Sequence, residues 1–377
     1  MTIVEPDGTP GLTPTLEELG WTPRRERDFA VHAAAELVPG RVVSEARGGG
    51  RALTSGGPVE VVVQRGFRRA ASGGADYPAV GDWLALEPME DASTAALRSI
   101  LPRTSTFSRG QAGAARADSH VSEQVVAANV DTVLLVAALT TDYNVRRMER
   151  YLALAWASGA DPVVLLNKAD LCPDVDARVR EVTAIAGDVP IHVLSAKTGD
   201  GLDVLWRYVV PGATVALLGS SGVGKSTITN SLLGEERQLV REVRADDDRG
   251  RHTTTGRELF ILPRGGALID TPGMRSIGMW ESAEGLDRAF ADIDALAAGC
   301  RFSDCAHGAE PGCAVQAAIA SGALPVERLA SRRKLEREVR SAEKRATAAG
   351  SRAEQRQFAR MVRQVTRARA RMRGQEG

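Results

Sequence analysis

The chain has 377 residues, of which 43% are apolar and 25% charged, and its 48 basic side chains are matched by 48 acidic ones. This composition is typical of a globular protein of two or three domains and excludes a disordered or fibrous chain. Apolar stretches such as Val133–Leu139 are much shorter than the ~18 residues of a membrane span, and Met1–Thr9 lacks the features of a secretory signal. We therefore expect a cytoplasmic protein without a membrane partner.

The charges are unevenly distributed along the chain. Residues 331–377 contain fifteen Lys and Arg against five Asp and Glu, so the other 330 residues carry a net charge of minus ten. A basic end of this kind is typical of a tail that contacts nucleic acid. The alternative is a solvated helical face, which the spacing of Glu336 and Arg340 supports.

Two kinds of sequence precede residue 106. Residues 1–30 are acidic and contain four prolines, so we expect an N-terminal extension that packs little. Residues 31–105 contain β-branched runs separated by glycine-rich turns, which is typical of a small closed barrel. The five predicted strands are Arg41–Glu45, Arg51–Thr54, Val59–Gln64, Gly81–Glu87 and Ser99–Leu101. Residues 106–120, rich in Arg, Ser, Ala and Gly, are interpreted as a linker.

Residues 121–280 alternate between apolar runs and helical stretches, which predicts a parallel sheet with helices on both faces. The predicted strands are Thr132–Ala138, Pro162–Asn167, Ile191–Ser195, Thr214–Gly219, Glu258–Leu262 and Gly266–Asp270. The predicted helices are Val145–Ser158, Val175–Ala186, Gly201–Tyr208 and Lys225–Leu233. Residues 281–330 follow as helices interrupted by a cysteine cluster, and residues 331–377 form the basic tail.

A glycine-rich motif lies between a predicted strand and the helix that begins at Lys225. It consists of Gly219, Ser220, Ser221, Gly222, Val223, Gly224, Lys225 and Ser226. Glycines in this pattern let backbone N–H groups surround phosphate oxygens at a helix N-terminus. Lys225 is expected to bridge the β- and γ-phosphates, and Ser226 to supply an oxygen to Mg²⁺. The alternative is a glycine-rich turn without a ligand.

Two other motifs follow strands of the same predicted sheet, at the edge where parallel sheets bind ligands. The first motif consists of Asn167, Lys168, Ala169 and Asp170, and the second of Ser195, Ala196 and Lys197. The carboxylate of Asp170 can accept hydrogen bonds from the guanine N1–H and 2-amino group together, a pair of donors that adenine does not offer. The second motif supplies the backbone contact to guanine O6 that usually accompanies the first in GTPases. Together they predict a GTP site.

Two further segments are expected at the phosphate end of this site. Asp270 begins a segment that ends at Gly273, in which the carboxylate holds Mg²⁺ through water and the glycine N–H contacts the γ-phosphate. The polar segment Arg251–Thr255 resembles the first switch of a GTPase, in which a threonine completes the Mg²⁺ shell. Thr254 is the threonine that we select for this role.

The order of these motifs differs from that of an ordinary GTPase, because the guanine motifs precede the phosphate loop. This order predicts a circularly permuted domain, in which sheet neighbours rather than chain order bring the motifs together. Met274 stands where many GTPases have a glutamine that orients the attacking water. His252, Thr254 or a partner must then orient the water, so we expect slow intrinsic turnover that a bound partner raises.

The cysteine cluster has the spacing of a metal site. Cys300, Cys305, His307 and Cys313 offer three thiolates and one imidazole within fourteen residues, which suits a closed tetrahedral zinc site with a structural role. The alternative is a set of scattered small hydrophobic residues with an exposed histidine. Cys172 is too distant in sequence to be required.

Taken together, the motifs resemble those of the ribosome small-subunit-dependent GTPase A family of circularly permuted GTPases. The resemblance extends from about residue 31 to 370 and rests on Ala79–Trp83, Ile100–Arg103, Gly219–Thr227, Arg251–Thr255, Asp270–Gly273 and the Cys300–Cys313 knuckle. It departs from the family's commoner pattern in residues 1–30 and at Ser220, whose side chain we expect to be unimportant because the loop acts through backbone groups.

The resemblance implies an N-terminal OB-fold barrel, a circularly permuted α/β GTPase core and a C-terminal helical zinc-binding domain. It implies GTP hydrolysis to GDP and phosphate, with Mg²⁺ and one structural Zn²⁺, late in maturation of the 30S ribosomal subunit, which stimulates the reaction. It also implies that Thr227 extends the GTP-binding set and that His252 positions the attacking water, with Lys225 and Thr254 as the other catalytic residues. We expect a monomer that contacts 16S rRNA.

Two other functions are compatible with the sequence. An RNA-binding assembly factor could use GTP only as a structural ligand, with Met274 marking lost hydrolysis. An adenine nucleotide enzyme would require Asp170 to be dispensable. For RNA contact, the barrel offers Arg65, Phe67, Arg68, Arg69 and Arg103, and the basic tail would add affinity that depends on salt.

Overall fold

The computed structural model describes residues 3–4, 10–11, 14–46, 49–71, 73–91, 93–110, 123–234, 257–270 and 283–344. The predicted switch residues His252, Thr254 and Gly273 lie outside this part of the chain, as does the basic tail beyond residue 344.

The predicted five-stranded barrel is confirmed. It follows a short pair of strands, β1 (Ile3–Val4) and β2 (Pro10–Gly11), and a helix, α1 (Pro23–Ala33). Its elements are β3 (Val38–Ala46), β4 (Gly49–Thr54), β5 (Gly57–Val62), α2 (Arg65–Ala70), β6 (Trp83–Pro88) and β7 (Thr94–Ile100). The strands pair in the order β3-β4-β5-β7-β6, and a further pairing of β3 with β6 closes the sheet. Inward residues such as Val42, Leu84 and Leu97 form its core.

The linker prediction for residues 106–120 is wrong at its start. Strand β8 (Thr106–Gly110) pairs antiparallel with β9 (Glu123–Ala128). Phe107 is buried, and the partner strand supplies most of the apolar residues of this hairpin. The polar composition of the first strand therefore concealed it, because Ser108 is buried beside Phe107 and most of the apolar side chains of the hairpin lie on the partner strand. Residues 111–120 lie outside the described part.

The central sheet has the predicted α/β architecture. Its elements in chain order are β10 (Thr132–Ala138), α3 (Val145–Ser158), β11 (Asp161–Asn167), α4 (Val175–Ala186), β12 (Ile191–Val193), β13 (Thr214–Leu218), α5 (Lys225–Leu233), β14 (Glu258–Ile261) and β15 (Ala267–Asp270). The strands lie in the order β12-β11-β10-β13-β15-β14, all parallel except β14. The helix predicted at Gly201–Tyr208 is instead a 3-10 helix over Leu202–Arg207.

The C-terminal region packs against α3. It contains α6 (Ala283–Ala289), α7 (Ala291–Ala297), α8 (Ala314–Ala320) and a helix over residues 326–344, called the last helix because it is the last in the described part of the chain. The two backbones touch where α6 crosses α3, since a Cβ on Gly285 would lie 2.6 Å from the Ala153 carbonyl oxygen. The last helix continues through residue 330, where the sequence predicted a boundary.

The expectation that residues 1–30 pack little is wrong for the described part after residue 13. Leu19 and Phe29 are buried, and the Trp21 ring lies 4.8 Å from that of Trp83 in the barrel. Thr22 caps the helix that follows, accepting from the Arg25 backbone N–H at 3.4 Å. Pro23 begins this helix and Glu26 and Asp28 lie within it, while Leu19, Trp21 and Phe29 provide the packing.

A buried polar cluster joins the barrel to the amino edge of the central sheet. We call it the barrel–sheet joint, and it comprises Arg25, Arg41, Asp82, Arg103, Asn129 and Thr214. Arg41 donates to the Leu19 carbonyl oxygen and, at 2.7 Å, to Thr214 Oγ1. Arg25 donates to Asn129 Oδ1 at 2.6 Å, and the Arg103 guanidinium holds both oxygens of the Asp82 carboxylate. These bonds satisfy charged groups that burial would otherwise destabilise.

Candidate nucleotide-binding site

The phosphate loop lies where the sequence predicts, between β13 and α5. Two of its positions require glycine. A Cβ on Gly219 would lie 2.4 Å from the Val136 carbonyl oxygen, so the loop passes against the neighbouring strand β10. Gly224 has a φ of +100°, and a Cβ there would lie 2.2 Å from Asn167 Nδ2. The glycines thus allow the chain to turn tightly between two strands before the helix begins.

Lys225, at the first position of α5, folds back over this loop. Its Nζ donates to the carbonyl oxygens of Gly219 at 2.7 Å and Ser220 at 2.6 Å. Ser226 and Thr227 follow in the first turn and are half-buried. The ammonium group therefore lies beside the loop at a helix N-terminus, where the combined positive potential favours an anion.

Asn167 ties the predicted guanine motifs to the phosphate loop. Its side chain is buried at the carboxyl end of β11. Nδ2 donates to the Val223 carbonyl oxygen at 2.7 Å, and Oδ1 accepts from the Ala196 backbone N–H at 2.9 Å. One amide group thus bridges three segments that lie far apart in sequence. The structure brings the three motifs together at one edge of the sheet.

Asp170 lies in an exposed turn beyond Asn167. Its Oδ1 accepts from the Ser195 hydroxyl at 2.6 Å, which orients the carboxylate. Lys168 has a left-handed backbone with a φ of 64°, and the Ala169 N–H donates to the Leu194 carbonyl oxygen at 3.2 Å. The turn is therefore held against the second guanine motif, with the carboxylate at the solvent boundary where a base could approach.

Only part of the predicted magnesium set lies among the described residues. Asp270 ends β15, which is parallel and adjacent to β13, the strand that leads into the phosphate loop. Asp270 and Ser226 are therefore at the same edge of the sheet. Thr254, His252 and Gly273 lie outside the described part of the chain.

Two residues that the sequence reasoning missed contact Ser220, and a third, Asp142, bonds to one of them. Arg147 Nη1 donates to the Ser220 hydroxyl at 2.9 Å and to Asp142 Oδ2 at 2.9 Å, and the Tyr151 hydroxyl lies 3.2 Å from the Ser220 hydroxyl. The expectation that the Ser220 side chain is unimportant is therefore open to test. The available signal was the Asp-to-Arg spacing just after β10, a strand that a parallel sheet places beside the loop.

The cysteine cluster brings its four potential ligands close together. The ligand atoms of Cys300, Cys305, His307 and Cys313 all lie within 4.8 Å of one another. Cys300 Sγ is 3.6 Å from His307 Nδ1 and 3.9 Å from Cys313 Sγ. With Zn–S bonds of about 2.3 Å, tetrahedral geometry places two thiolate sulfurs about 3.8 Å apart. The residues present therefore fit a zinc ion.

The loop that carries this cluster is fixed by its neighbours. His307 has a left-handed backbone with a φ of 58°. Its carbonyl oxygen accepts from Gln316 Nε2 at 2.5 Å and from Arg333 Nη2 at 2.8 Å. These bonds hold the imidazole towards the cysteines and connect the cluster to α8 and the last helix.

Comparisons with known proteins agree with this geometry. A family profile described as RsgA GTPase matches residues 100–280. A small ribosomal subunit biogenesis GTPase RsgA from Methanosarcina acetivorans is 43% identical over 91% of this chain and 90% of its own length. The chain belongs to the RsgA GTPase family. An RsgA protein from Streptomyces coelicolor is 46% identical over 86% of each chain.

Two solved structures show the same fold. YjeQ from Thermotoga maritima aligns with a TM-score of 0.58 and 28% identity over 79% of this chain and 97% of that chain. YloQ, a circularly permuted GTPase, aligns with a TM-score of 0.55 and 22% identity over 81% of this chain and 96% of that chain. The predicted architecture of barrel, permuted GTPase core and C-terminal cysteine cluster is therefore confirmed. Within the described part of the chain, no helix has the length and apolar character that crossing a bilayer requires.

Proposed function

We propose that this protein hydrolyses GTP to GDP and phosphate late in maturation of the small (30S) ribosomal subunit, and that the subunit stimulates the reaction. The observation that carries the proposal is the amide of Asn167, which bonds to the phosphate loop and to the second guanine motif. One guanine nucleotide can span segments held this close. The RsgA relatives, named for small ribosomal subunit biogenesis, support the biological setting.

Different residues of the site would bind the nucleotide and assist phosphoryl transfer. Asp170 would accept from the guanine N1–H and 2-amino group, and the N–H groups of the phosphate loop would surround the β-phosphate. Lys225 would exchange its bonds to loop carbonyls for phosphate oxygens and reduce the charge that builds up during phosphoryl transfer. Ser226, Asp270 and Thr254 would hold Mg²⁺, which supplies further neutralisation of phosphate charge.

Orientation of the attacking water is assigned to His252. Met274 follows the Asp-x-x-Gly segment and has no hydrogen-bonding group suited to this role. We therefore infer slow turnover in the free protein and a faster reaction when the ribosomal subunit is bound.

We infer that the cysteine cluster holds one structural zinc ion. Four ligands fill a tetrahedral shell and leave no position for a substrate, so the ion would stabilise the loop between α7 and α8. Metal analysis of the purified protein should find one zinc per chain, and Cys305→Ser should lower both zinc content and melting temperature. A chain without zinc, or a variant of unchanged stability, would overturn this assignment.

We further infer that the protein is a cytoplasmic monomer that contacts 16S rRNA. Arg65, Arg68 and Arg69 are exposed on α2 and can track RNA phosphates. Arg103 is removed from the predicted contact set because Asp82 and the Ala75 and Tyr77 carbonyl oxygens occupy its guanidinium. The basic residues of 331–377 would add affinity, and sedimentation with 30S subunits at two salt concentrations would measure that contribution.

We further propose that the chain is divided into the domains that the sequence predicts. The barrel would span 31–105, the GTPase domain 121–280, the zinc-binding domain 281–330 and the tail 331–377. The helix over 326–344 joins the last two units, so we expect them to move together.

The deciding experiment measures GTP turnover with and without purified 30S subunits. We expect stimulation in the native protein and its loss in Lys225→Ala and Ser226→Ala. Binding of GTP without turnover under either condition would favour the alternative, an assembly factor that uses GTP as a structural ligand. Competition between GTP and ATP tests Asp170 separately, since an adenine enzyme would bind ATP equally well.

A further inference from the structure

The N-terminal part of α3 carries a polar pair that faces the phosphate loop. Arg147 and Tyr151 are four residues apart and therefore lie on the same face of the helix. Both reach the Ser220 hydroxyl, Arg147 Nη1 at 2.9 Å and the Tyr151 hydroxyl at 3.2 Å. Asn144 caps this helix, accepting from the backbone N–H groups of Arg146 and Arg147. Arg147 and Tyr151 therefore lie on a helix whose N-terminus is capped.

The Arg147 guanidinium is itself fixed before it reaches the loop. Nη1 donates to Asp142 Oδ2 at 2.9 Å, and Nη2 donates to Asp142 Oδ1 at 3.3 Å. A carboxylate that accepts from both Nη1 and Nη2 fixes the plane of the guanidinium group. Nη1 also donates to the Asp142 carbonyl oxygen at 3.4 Å and to the Ser220 hydroxyl at 2.9 Å. Ser220 is therefore contacted by a side chain whose orientation is already determined.

The helix that carries this pair is anchored on its other side. Glu149 is buried on α3 and accepts from Arg328 Nη1 of the last helix at 2.8 Å. Arg150 forms an ion pair with Glu338 of the same last helix. The contacts on Ser220 thus come from a helix that the C-terminal region holds in place.

We propose that Arg147 is a positioning residue of the nucleotide site, acting with Tyr151 through the Ser220 hydroxyl. The loop is already attached at Gly219 by its strand and at Val223 by Asn167, and the new contact restrains the stretch between them. A restrained loop presents its N–H groups without further ordering when phosphate binds. Because the contact is with the loop rather than with the γ-phosphate, it assists GDP and GTP equally.

The test measures affinities of the full-length protein for fluorescent analogues of GDP and GTP. Ser220→Ala and Arg147→Ala should each weaken both affinities about tenfold, which corresponds to about 1.4 kcal/mol, with unchanged melting temperature. Ser220→Thr keeps the hydroxyl and should restore native affinity. Arg180→Ala removes an exposed arginine from α4 and should leave both affinities unchanged.

The nucleotide affinity of the double variant Arg147→Ala with Ser220→Ala shows whether the two residues act through one contact or independently. We expect it to bind no more weakly than either single variant, because both remove the same interaction. Affinity losses that multiply in the double variant would overturn the proposal, as would a loss confined to GTP. Native affinity in the single variants, or weakened affinity in Ser220→Thr, would overturn it as well. This inference rests on the proposed nucleotide site, but if the native protein binds neither nucleotide, the proposed function itself fails.

Discussion

The two edges of the central sheet both carry polar side chains, yet they use them differently. At the amino edge, Arg41, Asn129 and Thr214 of the barrel–sheet joint are buried and bonded to protein groups. At the carboxyl edge, Asp170 and Lys197 are exposed at the solvent boundary. Burial thus distinguishes polar groups that hold the fold together from those that can meet a ligand.

The two edges also differ in the hydrogen bonds of their cationic side chains, Arg41 and Lys225. Arg41 donates to neutral oxygens of Leu19, Gly81, Asn129 and Thr214, and burial lowers its pKa to about 10, partly offset by Asp131. Lys225 donates to two carbonyl oxygens of its own loop. A phosphate can replace those two acceptors while the protein stays folded. The partners of Arg41 are buried, so no ligand from solvent can replace them.

The largest expected effect comes from Lys225→Ala at the carboxyl edge. Loss of the ammonium removes charge stabilisation during phosphoryl transfer, so we expect turnover to fall roughly 10²–10³-fold. The melting temperature should change little, because Lys225 is only half-buried and the acceptors that it bonds to are carbonyl oxygens of its own loop. Steady-state phosphate release measures turnover, and thermal denaturation measures the melting temperature. A large drop in melting temperature would contradict the proposed difference between the two edges.

Arg41→Ala should produce the opposite pattern at the amino edge. The substitution removes the donors of four buried oxygens and leaves a cavity beside Trp83, so we expect about 3 kcal/mol less stability. Urea denaturation measures this loss, with Arg51→Ala as the control because Arg51 is exposed and pairs with Glu60 on the barrel surface. Unchanged stability would show that the joint does not hold the two units together.

Asn167→Ala sharpens the comparison because Asn167 is a buried residue at the carboxyl edge. Two hydrogen bonds that align the site would be lost, and we expect guanine nucleotide affinity to fall roughly thirtyfold, or about 2 kcal/mol. Asn167→Asp keeps the acceptor for the Ala196 N–H but places a carboxylate oxygen against the Val223 carbonyl oxygen, so it should bind GDP at least as weakly as Asn167→Ala. Fluorescent GDP titration gives the ranking, and equal affinities in all three proteins would contradict it.

Sequence reasoning was most successful where a residue pattern acts locally. The strand Thr132–Ala138 and the helices Val145–Ser158, Val175–Ala186 and Lys225–Leu233 match their predicted bounds, because apolar spacing and capping residues fix them. The guanine and phosphate motifs were also located, since each follows a strand whose end a parallel sheet brings to one edge.

Features that depend on distant partners were not predicted. The polar strand Thr106–Gly110 became visible only beside Glu123–Ala128, which carries the apolar side chains. Arg103 looked like an RNA contact until the fold placed Asp82 against it. The contact of Arg147 with Ser220 requires knowledge that β10 and β13 are neighbours, and chain order alone does not reveal that.

The smallest expected effect lies on β13, the strand that connects the two edges. Thr214→Val removes the hydroxyl that accepts from Arg41 at 2.7 Å while keeping the branched shape, and the bond from the Thr214 backbone N–H to Asp131 Oδ2 remains. We expect about 1 kcal/mol less stability and unchanged nucleotide affinity. Ser220→Ala, six residues further along the chain, should instead weaken nucleotide binding and spare stability. Urea denaturation and GDP titration of both variants compare the two ends of one strand, and a loss of affinity in Thr214→Val would mean that the joint and the nucleotide site are coupled.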